Sequence, residues 1–145
     1  MPELTQAEAD ALLSLSKYVD GQGPFQAPIP GGKLSVPLIS ADKAERFTLD
    51  FWRASIRLDK RTYGHRARTA MTLARLDFGI PHTNPDGKAV GSPHLHVYRE
   101  GYGAKWAVEL PKALFPDLSD PEGVYRGFLS YCNILEAPTI QGNLF

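Results

Sequence analysis

Three of the chain's four histidines fall between positions 82 and 96. The segment Pro93-His94-Leu95-His96-Val97-Tyr98-Arg99 alternates polar and apolar residues, as a strand with one face in a core does. In that geometry His94, His96 and Tyr98 point the same way, about 7 Å apart, while Leu95 and Val97 point to the core. Two histidines and a tyrosine in succession make an unusual solvent face. A structural pair, hydrogen-bonded to neighbouring strands, is the plain alternative. On a second candidate strand, 70–78, Leu73, Arg75 and Asp77 share one face and Ala74, Leu76 and Phe78 the other. If it pairs with 93–99, Arg75 and Asp77 lie across from the histidines, and the connecting loop carries His82 and Asn84 to the rim. Arg57 then approaches from a neighbouring strand. A surface ion pair accounts for Arg75 and Asp77 equally well.

Two chemistries fit this set. The first is metal-independent RNA cleavage, which needs no cofactor. A base takes the 2′-hydroxyl proton and an acid protonates the leaving oxygen; histidine titrates near neutrality and can do either. His94 and His96 take these roles in unspecified order. Arg75 and Arg57, with Arg53, bind phosphate through paired donors, His82 is auxiliary, Tyr98 contacts a base, and Asp77 fixes a histidine tautomer. The second chemistry is metal binding, with His82, His94 and His96 as a three-histidine site for zinc or iron. His94-Leu95-His96-Val97-Tyr98-Arg99-Glu100 also matches the short H-x-H-x-x-x-E pattern of cupins, although no histidine follows His96. A third reading is a non-catalytic binding protein, such as a phage or plasmid inhibitor or an antitoxin-like partner. It would use Trp52, Tyr63, Tyr102 and Trp106 with the arginines as its interface. Glycine-rich phosphate loops, G-x-S-x-G elbows and paired zinc-finger cysteines do not occur.

Composition narrows the partners. Lys plus Arg equals Asp plus Glu, at 16 each, which argues against coating nucleic acid by charge alone. The distribution is uneven: Arg46, Arg53, Arg57, Lys60, Arg61, Arg66, Arg68 and Arg75 face only Asp50 and Asp59 within that span. A basic middle suits a local anionic ligand such as RNA, or is a solvated arginine-rich face. The single cysteine, Cys132, fits a reducing cytoplasm and reads as a buried apolar residue. The acidic start Met1-Pro2-Glu3-Leu4-Thr5 does not read as a secretory leader, and no apolar run approaches the roughly 20 residues of a membrane span.

The elements that must position these residues follow from pattern. Thr5 and Glu8 form a capping box for a helix carrying Ala11, Leu12, Leu13, Leu15 and Tyr18, with a stop expected near Asp20-Gly21. Residues 21–32 are a Gly/Pro-rich loop within a single 1–145 domain. Leu34, Val36 and Leu38 alternate, and Pro37 predicts an edge strand. Phe47, Leu49 and Phe51 alternate, then the phase flips to Trp52, Ala54, Ile56 and Leu58, as at a β-bulge. Past the flip Arg53, Ser55 and Arg57 share a face. Lys60–Gly64 reads as a turn. The run 66–78 is ambiguous between helix and strand and is assigned to strand. Pro85-Asp86-Gly87 is a turn. Strands follow at 93–99 and through Trp106, Val108 and Leu110. A last helix starts at Pro121 and bears Val124, Tyr125, Phe128, Leu129 and Cys132. The expected fold is α+β: an N-terminal helix, an antiparallel meander of about five strands, and a C-terminal helix.

The stretches Phe47-Thr48-Leu49-Asp50-Phe51-Trp52-Arg53, Arg75-Leu76-Asp77, Pro81-His82-Thr83-Asn84-Pro85-Asp86-Gly87 and Pro93–Tyr102 resemble a family of small uncharacterised bacterial or mobile-element proteins. An R-x-D strand, a Pro-His turn and a Pro-His-x-His strand also look like those of toxins from toxin–antitoxin pairs in the barnase–RelE group. That resemblance implies a cytoplasmic ribonuclease with Arg75, Asp77, His82, His94 and His96 at its site, and an antitoxin as partner. The chain departs from those toxins in its C-terminal helix and its neutral charge.

Overall fold

The computed structural model describes residues 3–57 and 60–145. Among these lie helix α1 (Gln6–Ser14), strands β1 (Lys17–Val19), β2 (Phe25–Gln26), β3 (Lys33–Ser40), β4 (Arg46–Arg53), β5 (Arg61–Ala67), β6 (Met71–Phe78), β7 (His82–Thr83), β8 (Ala89–Val90), β9 (His94–Arg99) and β10 (Gly103–Val108), helix α2 (Pro121–Tyr131) and strand β11 (Ile140–Gln141). Seven strands form one antiparallel sheet in the order β1-β3-β4-β5-β6-β9-β10. Two small sheets, β2 with β11 and β7 with β8, flank it.

The fold is therefore dominated by sheet, which overturns the expected helix, five-strand meander and helix of an α+β domain. The two described helices have only 9 and 11 residues. Each departure has a local cause. Thr5 and Glu8 do form the capping box, but α1 stops at Ser14, because Lys17, Tyr18 and Val19 leave it to pair with Ser40, Ile39 and Leu38. That pairing puts β3 inside the sheet; Pro37 is tolerated because β1 covers only Leu38–Ser40. The expected turn at Lys60–Gly64 is instead the start of β5, with Gly64 buried in mid-strand. The ambiguous run 66–78 is a hairpin end: Arg68, at φ 56°, makes the turn between β5 and β6.

The expected bulge at Phe51-Trp52 is absent, since β4 keeps continuous register with both neighbours; Leu58 lies outside the described residues. A bulge sits in β6 instead. Arg66 faces Thr72 but His65 faces Ala74, so Leu73 is the extra residue, and it is buried in the core.

One face of the sheet carries the rows Leu34–Phe51–Tyr63–Leu76–Leu95 and Val36–Leu49–His65–Ala74–Val97. The apolar residues of these rows join Leu4 and Leu12 of the N-terminal segment and Val124, Tyr125, Phe128 and Leu129 of α2 in one hydrophobic core. Tyr63 is at its centre, with ring centroids 5.7 Å from Tyr125, 5.8 Å from Phe51 and 6.1 Å from Phe128. Tyr63 thus cannot belong to the exposed aromatic interface the sequence suggested.

Candidate functional site

The opposite face of the sheet carries the chemistry. Cross-strand partners stand side by side on one face, so the register defines two rows. One runs Lys33–Trp52–Thr62–Asp77–His94, the other Ser35–Asp50–Gly64–Arg75–His96. The pairing expected of Arg75 and Asp77 with the two histidines is present, with Arg75 opposite His96 and Asp77 opposite His94.

Contrary to a solvent-facing row, His94 and His96 are each only 2% exposed. The β7–β8 hairpin covers them. Its turn is the Pro85-Asp86-Gly87 segment, closed by Gly87 N–H donating to Asn84 O at 2.8 Å. The Asn84 amide docks the hairpin on β10, donating to Ala107 O and accepting from Ala107 N, both at 2.8 Å. His82, at the hairpin's start, lies over the pair, with ring centroids 4.6 Å from His96 and 5.6 Å from His94. Its Nε2 donates to Lys105 O at 2.8 Å.

The tautomers of the buried rings follow from their partners. His94 Nδ1 faces Gly91 O at 3.0 Å and His96 Nδ1 faces Ala104 O at 2.7 Å. A carbonyl only accepts, so each Nδ1 carries the hydrogen, and a neutral ring then presents a bare lone pair at Nε2. The two Nε2 atoms are 3.1 Å apart. Asp77 Oδ2 completes a triangle, 3.1 Å from His96 Nε2 and 3.5 Å from His94 Nε2. Three electron-pair donors thus converge. Among the described residues this is the one group of three metal-ligating side chains.

Arg75 is the cation beside the triangle. Its Nη2 donates to Asp77 Oδ2 at 3.1 Å and lies 3.2 Å from His96 Nε2, while its side chain is 41% exposed. Thr62 Oγ1 donates to Asp77 Oδ1 at 2.9 Å. Burial pushes the Asp77 carboxyl up, but its polar neighbours His96, Arg75 and Thr62 outweigh it and hold the pKa well below the usual carboxylate range. Burial lowers the pKa of His94 below its ordinary value.

The structure brings Arg75, Asp77, His82, His94 and His96 together, and leaves three predicted residues elsewhere. Tyr98 is buried, its hydroxyl donating to Leu4 O at 2.6 Å, so it anchors the N-terminal segment. Arg53 alternates onto the core side and donates to Pro28 O and Asn143 O. Arg57 lies in the loop after β4 rather than on a strand. Sequence reasoning missed Thr62 and the carbonyls of Gly91 and Ala104. Thr62 was concealed by the assignment of its segment to a turn, and the backbone acceptors leave no mark in a sequence.

No described helix is long and apolar enough to cross a membrane. No curated protein and no solved structure matches the chain. A family model does match residues 4–134, nearly the whole of it, and the chain therefore belongs to that family of unknown function, DUF6978.

Proposed function

We propose that the protein is a metal-dependent hydrolase, in which His94 Nε2, His96 Nε2 and Asp77 Oδ2 hold one divalent ion. The observation that carries this reading is the donor triangle with sides of 3.1, 3.1 and 3.5 Å. Metal–ligand bonds of about 2.1 Å, meeting at angles between a right angle and the tetrahedral value, separate donors by about 3.0 to 3.4 Å. Two imidazoles and a carboxylate suit zinc, manganese or iron(II), and three protein ligands leave coordination positions open. The Nδ1–H bonds to Gly91 O and Ala104 O are the supporting contacts that fix a ligand histidine's tautomer and orientation.

The two histidines are ligands in this reading rather than a substrate acid and base. Both rings are sealed, and their Nε2 atoms point at each other and at Asp77 instead of toward solvent. Asp77 takes the ligand place the sequence gave to His82, whose Nε2 is committed to Lys105 O. Arg75 borders the open side. It neutralises Asp77 without an ion and turns to a substrate's negative charge when an ion takes over that task.

Calorimetric titration of chelator-treated protein with Zn²⁺ or Mn²⁺ tests this. One equivalent is expected to bind. Asp77→Asn weakens binding by more than tenfold, Arg75→Ala strengthens it by removing a competing cation, and His82→Ala leaves it unchanged. X-ray absorption of the zinc-loaded wild type is expected to register two imidazoles. Absence of saturable binding, or a zinc shell without imidazole, overturns the proposal.

A further inference from the structure

The two rows that end in the histidines begin in a groove. Its lining includes the cations Lys33, Lys60, Arg66 and Arg75 and the carboxylates Asp50 and Asp77, and it has a volume of about 510 Å³. It crosses four strands from β3 to β6; at about 4.8 Å per strand spacing this is about 14 Å. Its floor is low because Gly64 places no side chain between Asp50 and Arg75. Four cations line it against two carboxylates. Asp50 is spoken for: Arg66 donates to both its oxygens, at 2.6 and 3.0 Å, and Ser35 donates to one at 2.6 Å. Trp52, 41% exposed, stands on this face directly between Lys33 and Thr62.

We infer that the groove seats a short segment of single-stranded nucleic acid, with a base stacked on Trp52 and the phosphates passing Lys33, Lys60 and Arg75 toward the Asp77–His94–His96 triangle. An exposed indole on a sheet face offers the stacking platform that unpaired bases use, and a duplex keeps those base faces buried. Cations flanking the indole match a phosphate on either side of the stacked base. Amid a chain of zero net charge, this concentration of positive charge is local. The inference names the substrate class of the proposed metal centre and rests on that reading only for the chemistry that follows binding. In that step a water oxygen bonds to phosphorus, one P–O ester bond breaks, and a proton from the water passes to the leaving oxygen.

The test is fluorescence anisotropy on the chelator-treated wild-type protein, so that it stands apart from metal binding. The probes are a labelled mixed-sequence ten-nucleotide RNA, the DNA strand of the same sequence, and the RNA duplex. Both single strands are expected to bind at least tenfold more tightly than the duplex. Affinity should fall with salt at a log–log slope of about −1.4, from Lys33 and Lys60 at about 0.7 each, because Arg75 stays on Asp77 in the ion-free protein. Equal RNA and DNA affinities mean recognition through bases and phosphates alone, and an RNA preference adds a contact to the 2′-hydroxyl; both support the proposal. Trp52→Ala should weaken binding about tenfold or more. Gly64→Ala, which raises the floor by one methyl, should weaken it severalfold with the fold intact, since a Cβ there meets Asp50 Cβ at an ordinary 3.6 Å. Absence of binding, a duplex bound as tightly as single strands, or affinity indifferent to both substitutions overturns the inference.

Discussion

Replacing Lys17 by methionine should change how stability depends on pH. The Lys17 side chain is fully buried. Its Nζ donates to Leu13 O in the last turn of α1 and to Cys132 O at the end of α2, each at 2.7 Å, and lies 4.8 Å from the Phe47 ring centroid. The two carbonyls belong to the negative ends of two helices, which favour a cation, yet burial lowers the amine's pKa to about 8 from 10.5. Between these values the unfolded chain binds more protons than the folded one, so stability rises with pH there. A shift of this size is a cost of about 3 kcal/mol in the charged form. Of that, about 2 kcal/mol should be recovered between pH 7 and pH 9.5. Urea unfolding of both proteins across that range gives the measurement. The difference between wild type and Lys17→Met cancels the opposing effect of Tyr63 and Tyr125, whose pKa values burial raises. A wild-type advantage that grows by about 2 kcal/mol is expected; one that stays flat or shrinks refutes the reasoning.

Two further outcomes are expected. His65 is fully buried and stacked on Phe47, and burial lowers its pKa to about 3. It contributes stability present above pH 6.5 and lost as pH falls toward 3, so acid titration of His65→Leu by circular dichroism should show a shallower loss across that window. In α2, a Cβ on Gly127 would meet Leu114 O at 2.5 Å and the Phe115 ring at 2.8 Å. Gly127→Ala should therefore destabilise by about 2 kcal/mol in chemical denaturation despite alanine's better helix propensity.

The sequence was most legible where one residue type has one local use. Thr5 with Glu8, Pro121 at a helix start, and Pro85-Asp86-Gly87 at a turn all act through their neighbours, and all three are found where their chemistry predicts. Alternation also put Arg75 and Asp77 on one face of a strand, and the pairing with His96 and His94 that the sequence offered only as a condition is present. Alternation failed where long-range pairing decides. Lys17–Val19 continue a helical pattern but are captured by β3, and Gly64 reads as a turn yet is flanked by β4 and β6. The burial of the histidines depends on the amide of Asn84 holding a hairpin over them. Polar alternation identifies a strand's two faces without saying which is covered.

The bulge at Leu73 bears on what changes this lineage can accept. Thr72 lies on the groove side and so do Arg75 and Asp77, a spacing that alternation forbids unless one residue is extra. Without Leu73, Thr72 and Ala74 would be neighbours facing Arg66 and His65, which are neighbours already, so its loss would restore plain alternation and leave the parity of β6 unchanged. Arg75 and Asp77 would stay on the groove side and Ala74 and Leu76 in the core, and what would be lost is the buried Leu73 side chain and the local kink of the bulge. The extra residue thus serves the core, through the Leu73 side chain, and the facing of Arg75 and Asp77 does not depend on it.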